Sequence, residues 1–253
     1  MSSSKTVYAF QANIESFIAY HGIERCGFLT LTFPDDVKDV SEASRRFNSF
    51  RTNFLSLLAL GYIGVYERTK RGVIHFHFVV ALPQEIRGNF DFAQVKARNY
   101  RSVNKYLRKV WKILRTKLPE YGFGRHQLVP VLSNAGICSY LAKYLIKGFE
   151  CRMPEDKGFR FIRTSRANLW RKATCRFSWL GYGGEKWRKA LAAWVSHVAT
   201  IVEDGIFRRT GFVVRLNESN YSDLLRLFFG SDWCYKHRHT INYGFDSGFF
   251  LVN

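Results

Sequence analysis

Cysteine is scarce and scattered in this chain. The five residues Cys26, Cys138, Cys151, Cys175 and Cys234 lie far apart, form no C-x-x-C pair and are odd in number. That argues against a zinc ribbon or a disulfide framework, and for a reducing compartment. No Pro- or Ser-rich linker, low-complexity tract or internal repeat breaks the sequence. No apolar run reaches bilayer length, and the start, MSSSKTVYAFQANIESF, lacks the basic head and long apolar run of a signal peptide. The expectation is a soluble protein without a membrane partner. Acidic residues are the other shortage: 20 Asp+Glu face 39 Lys+Arg, for a formal net charge of +19 over 253 residues. Such an excess suits a polyanion, nucleic acid first and an anionic membrane surface second. Hydrophobic residues, at 47%, suffice for a sizeable core.

Residues 8–21 suit a helix. CGFLTLTF (26–33) reads as a strand with its threonines on one face, stopped by Pro34 and the aspartate pair after it. Ser41 is placed to cap a helix over about 42–59, with Phe47, Phe50, Phe54, Leu57 and Leu58 as its apolar stripe. GYIGVYE (61–67) and VIHFHFVVAL (73–82) are strands joined by the turn RTKRG. Residues 102–118 form an amphipathic helix. Val103, Tyr106, Leu107, Val110, Ile113, Leu114 and Leu118 line one stripe, and Lys105, Arg108, Lys109, Lys112, Arg115 and Lys117 cover the rest. HQLVPVL (126–132) is a strand placed at an edge by Pro130, and AGICSYLAKYLIKG (135–148) is a helix ended by Gly148. Further on, FRFIRTS and CRFSWLGY look like strands and 185–203 like a helix. The hairpin at 61–82 makes the sheet antiparallel at least in part, so the expected class is α+β, a central antiparallel sheet flanked by helices. One domain is expected over 1–182, with an extension, 183–253, of unassigned role.

Two ionisable rings sit in an otherwise apolar strand. Side chains alternate faces along a strand. Ile74, Phe76, Phe78, Val80 and Leu82 therefore share an apolar face, while His75, His77, Val79 and Ala81 share the other. The two imidazoles lie roughly 7 Å apart along that face. With the turn centred near Arg71, Glu67 falls opposite His75 and Val65 opposite His77. A slip of one residue would put Glu67 on the wrong face. Two imidazoles and a carboxylate suit an octahedral divalent ion with open positions for phosphate and water. Equally, such rings could simply hydrogen-bond. A second H-x-H, His237-Arg238-His239, lies in polar surroundings and reads as a basic surface patch.

On the helix at 135–148, Tyr140 and Tyr144 are four residues apart and share a face. Each is followed three residues later by a lysine, Lys143 and Lys147. A phenol of ordinary pKa near 10 is a weak nucleophile unless a cation stabilises the phenolate or a metal polarises the electrophile. Two adjacent phenols would allow two successive transfers. Taken alone, packing tyrosines and solvated lysines account for the same pattern.

Together, FLTLTF (28–33), HFH (75–77) with Glu67 upstream, and YLAKYLIK (140–147) resemble, in order, the motifs of the HUH endonucleases. These enzymes nick single-stranded DNA and include rolling-circle replication initiators, relaxases and some transposases. The resemblance spans roughly 24–150 and is to the two-tyrosine initiators of single-stranded DNA phages and related elements. It implies an RRM-like antiparallel sheet, and Mg²⁺ or Mn²⁺ held by His75, His77 and Glu67. It also implies nucleophilic Tyr144 and Tyr140, with Lys147 and Lys143 assisting. Nicking would leave a 5′-phosphotyrosine and allow rejoining. Single-stranded DNA, such as an origin hairpin, would be the partner, in the cytoplasm of a prokaryotic host. No G-x-x-x-x-G-K-[ST] loop occurs, so a host helicase and polymerase would be needed. By composition, Lys105, Arg108, Lys109, Lys112 and Arg115 of the basic helix, and Arg68, Lys70 and Arg71 of the turn, are candidate phosphate contacts. The alternatives are a two-tyrosine transposase and a non-catalytic single-stranded nucleic-acid-binding protein. The latter should carry an RNP-type aromatic motif, which is absent.

Overall fold

The computed structural model describes residues 3–165, Trp170, Ala193–Trp194 and Lys236–Ile241. The chain divides into two compact units, Met1–Arg171 and Lys172–Asn253. Helix α1 is Ser3–His21, strand β1 Cys26–Leu31, helix α2 Val40–Phe50, and a one-turn helix α3 Ser56–Leu58. Strands β2 and β3 are Gly61–Arg68 and Ile74–Ala81. Helices α4 (Phe92–Lys96) and α5 (Lys105–Lys117), strand β4 (His126–Pro130), helix α6 (Asn134–Glu150) and strand β5 (Ile162–Thr164) come next. The five strands are antiparallel in the order β4-β1-β3-β2-β5, which is the α+β sheet expected. β4, with its Pro130, is indeed an edge.

The β2–β3 turn fixes the register. Thr69 N–H donates to Val73 O at 2.9 Å, Gly72 N–H donates to Thr69 O at 2.8 Å, and Gly72 takes the left-handed φ of 81° that its missing Cβ permits. Glu67 then pairs with His75 and Val65 with His77, the register anticipated from the turn. One sheet face is aromatic. The Phe47 ring of α2 stacks on Phe76 and Phe78 at 4.8 and 4.9 Å, and Phe33 and Phe123 extend the cluster. The other face carries Thr30, Val65, Glu67, His75 and His77 and is covered by α6, against which α1 packs.

Several boundaries differ from expectation, each for a local reason. Asp39 rather than Ser41 caps α2, accepting from Ser41 N–H and Glu42 N–H. After Phe50 a five-residue π turn, Arg51–Leu55, rotates the last turn of the helical run. Leu55 is therefore buried and Leu57, expected inside, is 83% exposed. Asn104 caps α5, so that helix begins at Lys105. Gly148 does not end α6; it lies inside the helix, where a Cβ would stand 3.0 Å from the Phe161 ring. The strand expected at 175–182 lies outside the described residues. Of the helix at 185–203, Ala193 and Trp194 are described, and both are helical. His237 is half-buried with its ring 5.2 Å from Trp194, while His239 is exposed. No helix among the described residues is long and apolar enough to cross a membrane.

Candidate active site

Strand alternation puts Glu67 and His77 on the sheet face beneath α6, and both are buried, at 6% and 5% exposure. Glu67 stands opposite His75, but its carboxylate reaches diagonally: Oε2 lies 3.2 Å from His77 Nε2. Its other oxygen, Oε1, accepts from Lys147 Nζ at 3.0 Å. The far ring nitrogen of His77, Nδ1, lies 3.3 Å from Thr30 Oγ1. One neutral tautomer satisfies both contacts: Nε2–H donates to the Glu67 carboxylate and Nδ1 accepts from the Thr30 hydroxyl. Because that hydroxyl can also accept, the other tautomer stays open, with Nδ1–H toward Thr30 and a lone pair on Nε2 for a cation. The ring is also held by stacking. Tyr144 lies parallel to it with centroids 3.9 Å apart, and Phe28 is parallel at 5.9 Å.

α6 delivers this constellation through helical spacing. Ser133 caps its start by accepting from Gly136 N–H. Leu141 and Leu145 are buried, and that phase aims Tyr140, Tyr144 and Lys147 at the sheet. The Tyr144 hydroxyl donates to the Tyr140 hydroxyl at 2.5 Å. Tyr140, 45% exposed, also meets Phe28 edge to face at 5.4 Å. Lys147 Nζ is 5.7 Å from the Tyr144 ring centroid. Lys143 is exposed and makes no hydrogen bond or ion pair with a described residue.

The charges follow from these contacts. Burial pushes the Glu67 carboxyl up, but the hydrogen bonds from His77 and Lys147 outweigh it, and the group sits below its ordinary range, ionised. The hydrogen bond to Glu67 raises Lys147, which stays an ammonium. Burial lowers His75, as does the nearby His77, so its imidazole is neutral near pH 7 with a lone pair free to bind. Burial raises Tyr144, reinforced by the Tyr140 bond and the Glu67 charge. Tyr144 is therefore a protonated phenol until a proton acceptor or cation acts on it.

The expected metal ligands are on one face but not gathered. Ring centroids of His75 and His77 are 6.5 Å apart, and His75 makes no hydrogen bond to a described residue. Among the described residues no group of three His, Cys, Asp or Glu side chains is disposed to hold a metal ion. The donor types nonetheless suit a hard divalent ion, two imidazoles and an ionised carboxylate. The Thr30 contact turns His77 Nε2 toward Glu67, as the orienting partner of a ligating histidine does.

Of the phosphate-contact candidates, Arg68 is corrected. It is 3% exposed, and its guanidinium is spent on Asp156 at 2.6 and 2.9 Å, Lys38 O at 2.6 Å and Gly72 O at 2.9 Å. Alternation turns it to the face opposite Glu67, so it braces the hairpin turn and is closed to DNA. Lys70 and Arg71 are exposed on the turn, with Arg71 3.2 Å from Asp36. Lys105, Arg108, Lys109, Lys112 and Arg115 are all exposed on α5. Sequence reasoning missed Thr30 and Phe28 as neighbours of His77. Their signal was the odd–even pattern of FLTLTF, which puts both on the histidine face once β1 pairs with β3.

Residues 26–149 match a family model for replication-associated proteins of the ORF2 type. The chain is 46% identical over 163 residues to the Phasyl DNA replicon protein arp of Escherichia coli, covering 64% of this chain and 57% of that relative. The chain thus spans little more than half the length of this curated relative. No solved structure matches.

Proposed function

The chain belongs, over residues 26–149, to the family of ORF2-type replication-associated proteins, and we propose that it starts rolling-circle replication by nicking and rejoining single-stranded origin DNA. The observation that carries this reading is the Tyr144 ring stacked on His77 at 3.9 Å, which sets a phenol beside two imidazoles and a carboxylate. Glu67, His75 and His77 would hold the Mg²⁺ or Mn²⁺. When bound, that ion supplies polarisation of a scissile phosphoryl oxygen. The chain's own residues supply the nucleophile. The Tyr144 oxygen attacks phosphorus as its proton passes along the existing hydrogen bond to the Tyr140 oxygen, which releases its own proton to water. The P–O3′ bond breaks, the 3′ oxygen takes up a proton, and a 5′-phosphotyrosine remains. The Lys147 ammonium, near the Tyr144 ring, offsets the charge on the phenolate. Attack of a 3′-hydroxyl on the phosphotyrosine reverses the step and reseals a strand. Tyr140, the more exposed phenol, serves the second transfer. Lys143, exposed beside it, is left for the DNA backbone. Unwinding and synthesis fall to a host helicase and polymerase in the prokaryotic cytoplasm.

The test incubates the full chain with single-stranded origin DNA and Mn²⁺, with and without chelator, and resolves covalent adducts by denaturing gel. An adduct is expected only with metal, retained in Tyr140→Phe or Tyr144→Phe and lost in the double variant. An adduct that survives His75→Ala with His77→Ala would overturn the metal assignment. Absence of any adduct on strands of the parent replicon would favour a non-catalytic binding protein.

A further inference from the structure

A second concave site lies away from the tyrosines. Between the polar side of α5 and edge strand β4 runs a cleft of about 570 Å³. Its cations are Arg108, Lys112 and Arg115 and its aromatic groups Tyr100, Trp111 and His126. The cations recur at helical spacing on one side of α5, all are exposed, and none makes a side-chain hydrogen bond or ion pair with a described residue. The aromatic groups are fixed. Trp111 donates its indole N–H to Leu128 O at 2.8 Å, which pins the ring to the outer edge of β4. Tyr100, 46% exposed, meets Trp111 edge to face at 5.8 Å.

The position of the cleft is as informative as its lining. Gln127, in its wall, pairs with Thr30 across β4–β1, and Thr30 pairs with His77 across β1–β3. Neighbouring strands are about 4.8 Å apart, so the wall stands about 10 Å from the His77 backbone. Unpaired cations flanking rigid, open rings are what a single strand needs: phosphates meet charge and a splayed base meets a ring face.

We propose that this cleft seats an unpaired base and its flanking phosphates, in the same single strand whose scissile phosphate lies at His77 and the tyrosine pair. The proposal rests on the nicking function above for its strand, but the cleft is tested by binding alone. The protein is the full-length Tyr140→Phe/Tyr144→Phe variant, and the probe is fluorescein-labelled dT20, followed by anisotropy across a salt series. Tyr100→Ala in this background is expected to weaken dT20 binding about tenfold, within the range for losing one stacked base. Arg108→Ala/Lys112→Ala/Arg115→Ala should flatten the slope of log K against log salt by about 2, at about 0.7 per phosphate contact. Lys109→Ala, on the same helix but outside the cleft, should leave the slope unchanged. Iodouridine placed along dT20 should photo-crosslink to the peptide bearing Tyr100 or Trp111. The proposal fails if Tyr100→Ala binds within twofold of its parent, if the triple variant keeps its salt slope, or if crosslinks fall only elsewhere. A duplex bound as tightly, and weakened equally by Tyr100→Ala, would overturn the single-strand assignment. Since no nucleophile is present, a failure of nicking leaves these results standing. Normal adduct formation by the parent chain with a silent cleft would overturn the cleft alone.

Discussion

Replacing Asp156 should cost more stability than any surface change near the active site. Asp156 is fully buried and Arg68 nearly so; two hydrogen bonds of 2.6 and 2.9 Å join them. Asp156→Ala strands two guanidinium N–H groups and an uncompensated charge in the interior. Removing one partner of a buried ion pair costs about 3–5 kcal/mol, a large part of a typical total of about 5–15 kcal/mol. With a urea slope of about 2 kcal/mol per molar, the midpoint should fall by about 2 M. The double variant Arg68→Met/Asp156→Leu removes both charges at similar volume, and should recover most of the loss.

The same pair sets an acid limit on stability. Burial pushes the Asp156 carboxyl up, but the hydrogen bonds from Arg68 and the Met153 N–H hold it below its ordinary value. Its stabilisation is therefore full above the unfolded pKa of about 3.9 and lost as pH falls through the lower folded value. Urea midpoints of the wild type and the double variant, measured from pH 7 down to pH 2, should differ in acid sensitivity in that window only. If Arg68→Met keeps the wild-type midpoint and instead weakens dT20 binding, Arg68 is a phosphate contact after all and its structural role is refuted.

Two further substitutions probe the histidine strand. Thr30→Val keeps the shape of the side chain but removes the hydroxyl at His77 Nδ1. It should shift the His77 tautomer ratio seen by ¹⁵N NMR and weaken Mn²⁺ binding about 10–100-fold; an unchanged ratio and affinity would show that Thr30 does not orient the ring. Gly64→Ala would put a Cβ 2.1 Å from His77 O and 2.7 Å from Phe78 Cα, both backbone atoms that cannot step aside. Losses above about 3 kcal/mol, beyond ordinary overpacking, are expected in urea unfolding, and a wild-type midpoint would contradict the close approach of β2 and β3.

The sheet face and the hairpin register were legible because both depend on local rules. Alternation assigns Glu67, His75 and His77 to one side, and the length of the RTKRG turn sets which residues face each other. The tyrosine pair was legible through a spacing of four. What escaped depends on distance along the chain or on exact shape. Asp156 lies 88 residues from Arg68, and nothing local joins them. Gly148 has the look of a helix stop, yet its purpose is room for the Phe161 ring. The diagonal bond from Glu67 to His77, in place of the pair directly across, depends on how the side chain leans over the sheet, which a register cannot state.

Glu67 and Arg68 explain why the nucleophile helix sits in one phase. All eight residues of β2 are buried, yet two adjacent ones are charged. Alternation sends them to opposite faces, so each needs its own counter-charge. Both come from one short stretch of chain: Lys147 from the last turns of α6, and Asp156 from the 3₁₀ turn just after it. Those two bonds clamp the C-terminal end of α6 to the end of β2 from both sides. Tyr144 is three residues, less than one turn, from Lys147. A slip of α6 by one residue would swing the phenol about 100° off His77 and break the Lys147–Glu67 bond with it. The stacking of Tyr144 on His77 is thus held by charge pairing that the strand requires for its own burial. Lys147→Met should accordingly loosen Tyr144 from His77, read as a change in the His77 ring-proton shifts, before it lowers the unfolding midpoint. A variant with unchanged His77 shifts would show that packing of Leu141 and Leu145 alone sets the phase.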